Sequence, residues 1–141
     1  MSETFEHETG TRQRSGLFIA EMYDDIDTFM CFVNPTDRAS CALKEQLPAA
    51  RRKNIGIIAM KVFGGRDPAN LLGDGPGMAS SSLLLRFALG EDITVAIPAL
   101  SSLAQLRENI AVAANYSPLS AEERRMLVAR VWSNPCCLHD Q

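Results

Sequence analysis

The stretch ITVAIPALSSLAQLREN, residues 93–109, decides the architecture. It opens as a short β-branched apolar run, breaks in a turn, and continues as a helix whose polar residues Gln105, Glu108 and Asn109 recur at three-to-four spacing. Strand, turn and amphipathic helix in that order make one β/α unit. In a parallel α/β fold, the carboxyl end of such a strand and the amino end of the next helix form a ligand-facing edge. Free backbone N–H groups and the helix dipole both point there, and both favour a phosphorylated ligand.

Two more units precede it. Residues 26–33 and 55–62 are apolar almost without interruption, a pattern that predicts strands in a sheet covered on both faces. Asn34, Pro35, Thr36 and Asp37 break the first run, and a helix over 39–53 follows with Leu43, Leu47 and Ala50 inward. Pro48 either bends that helix or marks a second start. After the second strand comes a loop rich in glycine and proline through Gly77, then a helix over 78–89 with Gly90 as its C-cap. The third strand spans 93–97 and its helix 103–114. Ser120 and Glu123 have capping-box spacing and predict a last helix over 121–131. A short helix over 15–23 leads into the first strand.

The 141 residues, 46% of them hydrophobic, suffice for one domain with a real core. Residues 1–14 read as a polar arm, 15–132 as the folded part and 133–141 as a polar tail. A net charge of −3 argues against nucleic acid and against an anionic membrane, and Arg51, Arg52 and Lys53 read as the solvated end of a helix. With no apolar run long enough to cross a bilayer and no hydrophobic signal core, a cytoplasmic protein is expected.

The residues that often carry chemistry receive plain readings. Cys31, Cys41, Cys136 and Cys137 read as reduced thiols, because their spacing matches neither a disulfide framework nor a usual metal site. Ser80, Ser81 and Ser82 read as helix-start residues, since no histidine lies between residues 8 and 138 to activate one as a nucleophile. His7 reads as an exposed residue of the arm, and Tyr23 and Tyr116 as packing residues.

Strand, helix, strand, helix, strand, helix implies parallel pairing with right-handed crossovers. Three such strands leave two edges open, a liability for a free-standing sheet.

Four groups of residues resemble the carboxyl-terminal part of an aldo/keto reductase. They are Asp25 to Thr28 leading to Asn34; Leu47-Pro48 through Met60, Lys61 and Gly64; Ile97-Pro98 with Gln105, Leu106, Arg107, Glu108 and Asn109; and Ser117-Pro118-Leu119-Ser120. The resemblance covers residues 15–131. It implies an α/β chain that is a partial (β/α)8 TIM barrel, with three parallel units matching the last three strands and a C-terminal helix.

It also implies a cofactor, NADP(H), with NAD(H) as the alternative. By position, Met60, Lys61, Phe63, Gly64 and Gly65 would lie near the nicotinamide and pyrophosphate. Ala99, Leu100, Ser101 and Ser102 would approach the 2′-phosphate, and Gln105, Glu108 and Asn109 the adenine. Many members place lysine and serine where this chain has Ala99 and Leu100, and arginine where it has Gln105, so the choice between the two cofactors stays open. The family's catalytic aspartate, tyrosine, lysine and histidine come from the first half of the barrel and have no counterparts among these residues. The expectation is therefore an NAD(P)-binding oxidoreductase part without a catalytic residue, inactive alone. The alternative is a non-catalytic assembly module whose uncovered strand edges complete a barrel with a partner chain or a second copy.

Overall fold

A computed structural model describes residues 25–36, 42–65 and 70–133. The arm, the helix expected over 15–23, His7, Tyr23, Cys41, Cys136, Cys137 and His139 lie outside the described residues. Three parallel strands form one sheet in the order β1 (Thr28–Phe32), β2 (Gly56–Met60), β3 (Val95–Ile97). Thr28 stands opposite Gly56 and Phe32 opposite Met60, while Ile58 faces Val95 and Met60 faces Ile97. All three carboxyl ends therefore reach the same edge.

Parallel neighbours need a crossover, and each crossover here is helical. Between β1 and β2 run a π-helical turn, Ala42–Gln46, and α1, Leu47–Arg52. Pro48 falls in the first turn of α1, where its missing N–H costs no helical bond, so it marks a second start rather than a kink. The exit is a Schellman turn. Asn54 takes φ 55°, its N–H donates to Arg51 O at 3.1 Å, and the Ile55 N–H donates to Ala50 O at 2.9 Å.

The remaining helices are α2 (Ser81–Leu89), α3 (Leu103–Ala114) and α4 (Ala121–Trp132), each entered through a serine. Ser80 Oγ accepts from Leu83 N at 3.4 Å and Ser102 Oγ from Gln105 N at 3.2 Å. Ser120 and Glu123 close the expected capping box, with Glu123 N donating to Ser120 Oγ at 3.1 Å and Ser120 N to Glu123 Oε2 at 2.8 Å. Gly90 is the C-cap of α2, as read from the sequence, but the left-handed residue that turns the chain into β3 is Asp92, φ 50°.

The core lies on one side of the sheet. Cys31, Ile57 and Ala59 point into a cluster with Leu47 and Ala50 of α1, Leu84, Phe87 and Ala88 of α2, and Leu127 and Val131 of α4. Burying each large side chain contributes about 1.5–3 kcal/mol. The last helix is pinned at both ends, by Trp132 Nε1 donating to Pro35 O at 3.2 Å and by the Arg124 guanidinium lying 4.3 Å over the Phe87 ring. Arg124 also pairs with Glu91. The basic end of α1 is exposed, as expected, and there Arg51 Nε pairs with Asp92 Oδ2 at 3.0 Å.

The opposite side corrects the expectation of a sheet covered on both faces. Met30, Phe32, Val95 and Ile97 there are 38–50% exposed, and Ile58 and Met60 are only half-buried. Apolar residues on both sides of a strand show that both faces favour cover. They do not show that the same stretch of chain supplies it.

Candidate functional site

The carboxyl edge of the sheet is built from three loops, of which the first two are tied to each other by backbone and amide hydrogen bonds. After β1, Asn34 is buried, donates from Nδ2 to Lys61 O at 3.0 Å, and accepts at Oδ1 from Thr36 N at 2.9 Å and Thr36 Oγ1 at 2.6 Å. This Asx turn binds the first loop to the second. Neither the apolar period nor the charge pattern marks Asn34 as a clamp; the Asn-Pro-Thr turn signal is the only trace of it.

After β2 the chain reverses tightly. Met60 is half-buried, Lys61 is exposed with φ 56°, and its carbonyl also accepts from Gly64 N at 2.8 Å. Gly64 has φ 81°, a left-handed conformation that suits glycine. Phe63 is buried, and its carbonyl accepts from Leu71 N at 2.9 Å, so this loop is anchored from below. Gly65 is half-buried beside it. The turn thus presents backbone and one exposed lysine at the end of β2.

After β3, Ala99, Leu100, Ser101 and Ser102 are exposed and lead directly into α3. Gln105 turns back on this loop, its Oε1 accepting from Ser101 N at 2.8 Å and Ser101 Oγ at 3.0 Å. The first turn of α3 holds no acidic side chain, so its positive dipole end is not offset from within the helix.

The three polar residues of α3 separate. Gln105 holds the loop, and Glu108 is exposed on the flank facing α2. Asn109 is 6% exposed, and neither Oδ1 nor Nδ2 has a hydrogen-bond partner. Glu108 lines a cleft of about 460 Å³ between α2 and α3 with Ser82, Arg86, Asn115 and Ser117. Arg86 was not singled out by sequence, since a lone arginine on a helix carries no signal of its own. It donates from Nε to Ser117 O at 2.9 Å and from Nη2 to Pro118 O at 3.1 Å, and pairs with Glu123 Oε1 at 3.4 Å.

No histidine lies among the described residues, and Tyr116 sits beside Gly90 in the turn after α2, far along the chain from the loops of the edge. Among the described residues no group of three or more His, Cys, Asp or Glu is placed to hold a metal ion, and Cys31 is buried in the core. No described helix is long and apolar enough to cross a membrane.

With this geometry in place, comparison with known proteins is informative at the level of the fold. No protein-family model matches the chain, and no curated protein matches it. A solved structure, the aldo-keto reductase AKR11C1 from Bacillus halodurans in its holo form, superposes with a TM-score of 0.54 and 18% sequence identity. The chain has part of that fold. The match covers 82% of this chain and 46% of the aldo-keto reductase, so the chain spans less than half of that structure's length. This chain brings to that match an open sheet of three parallel strands with their helices.

Proposed function

We propose that this chain is a partial (β/α)8 barrel of aldo-keto reductase type that grips the adenosine end of a nicotinamide dinucleotide and carries no catalytic residue of its own. The observation that carries this reading is Asn109, a buried amide whose donor and acceptor are both unpaired. Leaving such a group unpaired costs about 1–3 kcal/mol, so a partner is worth having. The N6/N7 edge of adenine offers one acceptor and one donor in the spacing an asparagine amide satisfies. Both Asn109 atoms are covered, so adenine reaches them only as the groups that cover them shift.

The other residues fit a dinucleotide in kind. Lys61 places an ammonium at the end of the central strand, where a pyrophosphate would carry charge. Gly64 and Gly65 let backbone approach the ligand closely. Ser101, Ser102 and the unshielded start of α3 favour an anion such as a 2′-phosphate, while Gln105 holds that loop shut. Ala99 and Leu100 add no charge, so the preference for NADP(H) over NAD(H) is small. The nicotinamide ring supplies hydride chemistry when bound. The residues of this chain only bind and orient it, which makes turnover dependent on groups from elsewhere.

The test is a fluorescence titration with NADPH and with NADH, run in parallel on the chain and on Asn109→Leu. Saturable binding of both cofactors within about tenfold of one another, lost in the variant, supports the reading. Binding unchanged in Asn109→Leu, or none at millimolar cofactor, contradicts it.

A further inference from the structure

Asn34 is not the last link that holds the carboxyl edge in place. Its Oδ1 accepts from Thr36 N, and the carbonyl at the other end of the same Pro35–Thr36 peptide accepts from Trp132 Nε1 at 3.2 Å, 97 residues further along the chain. One peptide is thus gripped at both of its polar ends. Proline has no N–H, so the carbonyl is the one polar group Pro35 offers, and an indole N–H is a donor and nothing else. Asn34 and Pro35 are both buried, and Asn34 Nδ2 donates onward to Lys61 O. Lys61 stands at φ 56°, its carbonyl also accepting from Gly64 N at 2.8 Å. A left-handed non-glycine residue persists where its surroundings over-determine it, and these bonds supply that constraint.

Trp132 stands where its grip can be firm. It is the last residue of α4, whose Leu127 and Val131 are buried in the core. Ser133 ends the helix directly after it, donating from N and from Oγ to Arg130 O at 3.1 and 2.6 Å. Trp132 itself is only half-buried, so the core does not need it as filler in the way it needs Leu127.

We propose that Trp132 is a positioning residue of the carboxyl edge: through Pro35 and Asn34 it sets the Lys61 turn in the conformation that receives an anionic ligand. The last helix is thereby coupled to the edge, and such coupling is reciprocal. A ligand held at the Lys61 turn steadies the indole bond, and loss of the indole bond weakens the ligand. For the identity of that ligand the proposal rests on the dinucleotide reading; for the geometry it does not.

The experiment is amide-resolved NMR of the ligand-free chain, of Trp132→Phe and of Leu127→Ala, followed by an NADPH titration of each. Trp132→Phe keeps an aromatic ring and removes the donor. It shifts the backbone amides of Thr36 and Lys61 and the side-chain NH2 of Asn34, and lowers NADPH affinity by about three- to tenfold. Leu127→Ala, which leaves a cavity under the same helix, lowers the melting temperature and leaves those signals in place. The chain has one tryptophan, so the single indole N–H signal of the parent reads the bond without any variant, and it exchanges slowly with solvent. The three signals unmoved by Trp132→Phe, or moved equally by Leu127→Ala, overturn the proposal. So does an indole N–H that exchanges as fast as one in open water, or an unchanged affinity in Trp132→Phe where the parent binds. A parent that binds no NADPH overturns the dinucleotide reading instead, and the ligand-free signals still decide the role of Trp132.

Discussion

The Nδ2 of Asn34 lies 3.0 Å from the carbonyl oxygen of Lys61 and joins the loops that follow β1 and β2. The same side chain accepts two bonds from Thr36, so one buried amide fixes two of the three loops of the carboxyl edge. Asn34→Ala leaves the Lys61 carbonyl and the Thr36 N–H without these partners. We expect a loss of about 1–3 kcal/mol in urea unfolding and weaker NADPH binding in the folded fraction. A variant as stable as the parent contradicts the clamp.

Lys61 itself sits in the left-handed region, φ 56°, where a Cβ costs about 1 kcal/mol and glycine costs nothing. Lys61→Gly and Lys61→Ala both remove the ammonium, yet only the first relieves the backbone. Thermal melts should therefore place the glycine variant above the alanine variant, while cofactor titration should show the two equally impaired.

The α4 cap predicts a pH dependence. Glu123 is held below the usual carboxylate pKa by the Ser120 backbone N–H, then by the Ser120 hydroxyl, with help from Arg86; Glu122 is lowered by its pair with Arg125. A depressed folded pKa means stability that is present above the unfolded value and lost as pH falls through the folded one. Stability should thus decline below the ordinary glutamate range, and the decline should be shallower in Glu123→Gln. Both groups are exposed, so high salt should shrink the Glu122 part most. Ser120→Ala removes the cap at any pH, for a loss of about 0.5–2 kcal/mol by chemical denaturation.

Asn109 is predicted to trade stability for binding. Leucine in its place removes an unpaired buried amide, so Asn109→Leu should be more stable than the parent by about 1 kcal/mol in the absence of ligand. An equally destabilised or unfolded variant contradicts the assignment of Asn109 as an unpaired group.

The sequence told most where one physical signal acted alone. Near-continuous apolar runs located all three strands and period-3.6 patterns the described α2, α3 and α4, and Ser120 with Glu123 placed the last cap to the residue. Pro48 left a bend or a second start open, and the structure places it in the first turn of α1. Long-range partners left no such signal. Gln105 looked identical in pattern to Asn109, yet Ser101 takes its carbonyl while Asn109 is buried without a partner. Asn34 and Arg86 act through backbone carbonyls far along the chain, which no local spacing encodes. The two-faced apolarity of β1 and β2 was read as cover on both faces; Met30 and Phe32 show that hydrophobic pattern reports a need and not its supplier.

The measurement that bears most directly on the account is an amide-resolved NMR titration of the chain with NADPH. The account predicts saturable shifts of the Asn109 side-chain NH2 pair together with the backbone amides of Lys61, Gly64, Gly65 and Ser102. Shifts confined to Ser82, Arg86 and Asn115 of the outer cleft, or an unmoved Asn109 at millimolar NADPH, would contradict it.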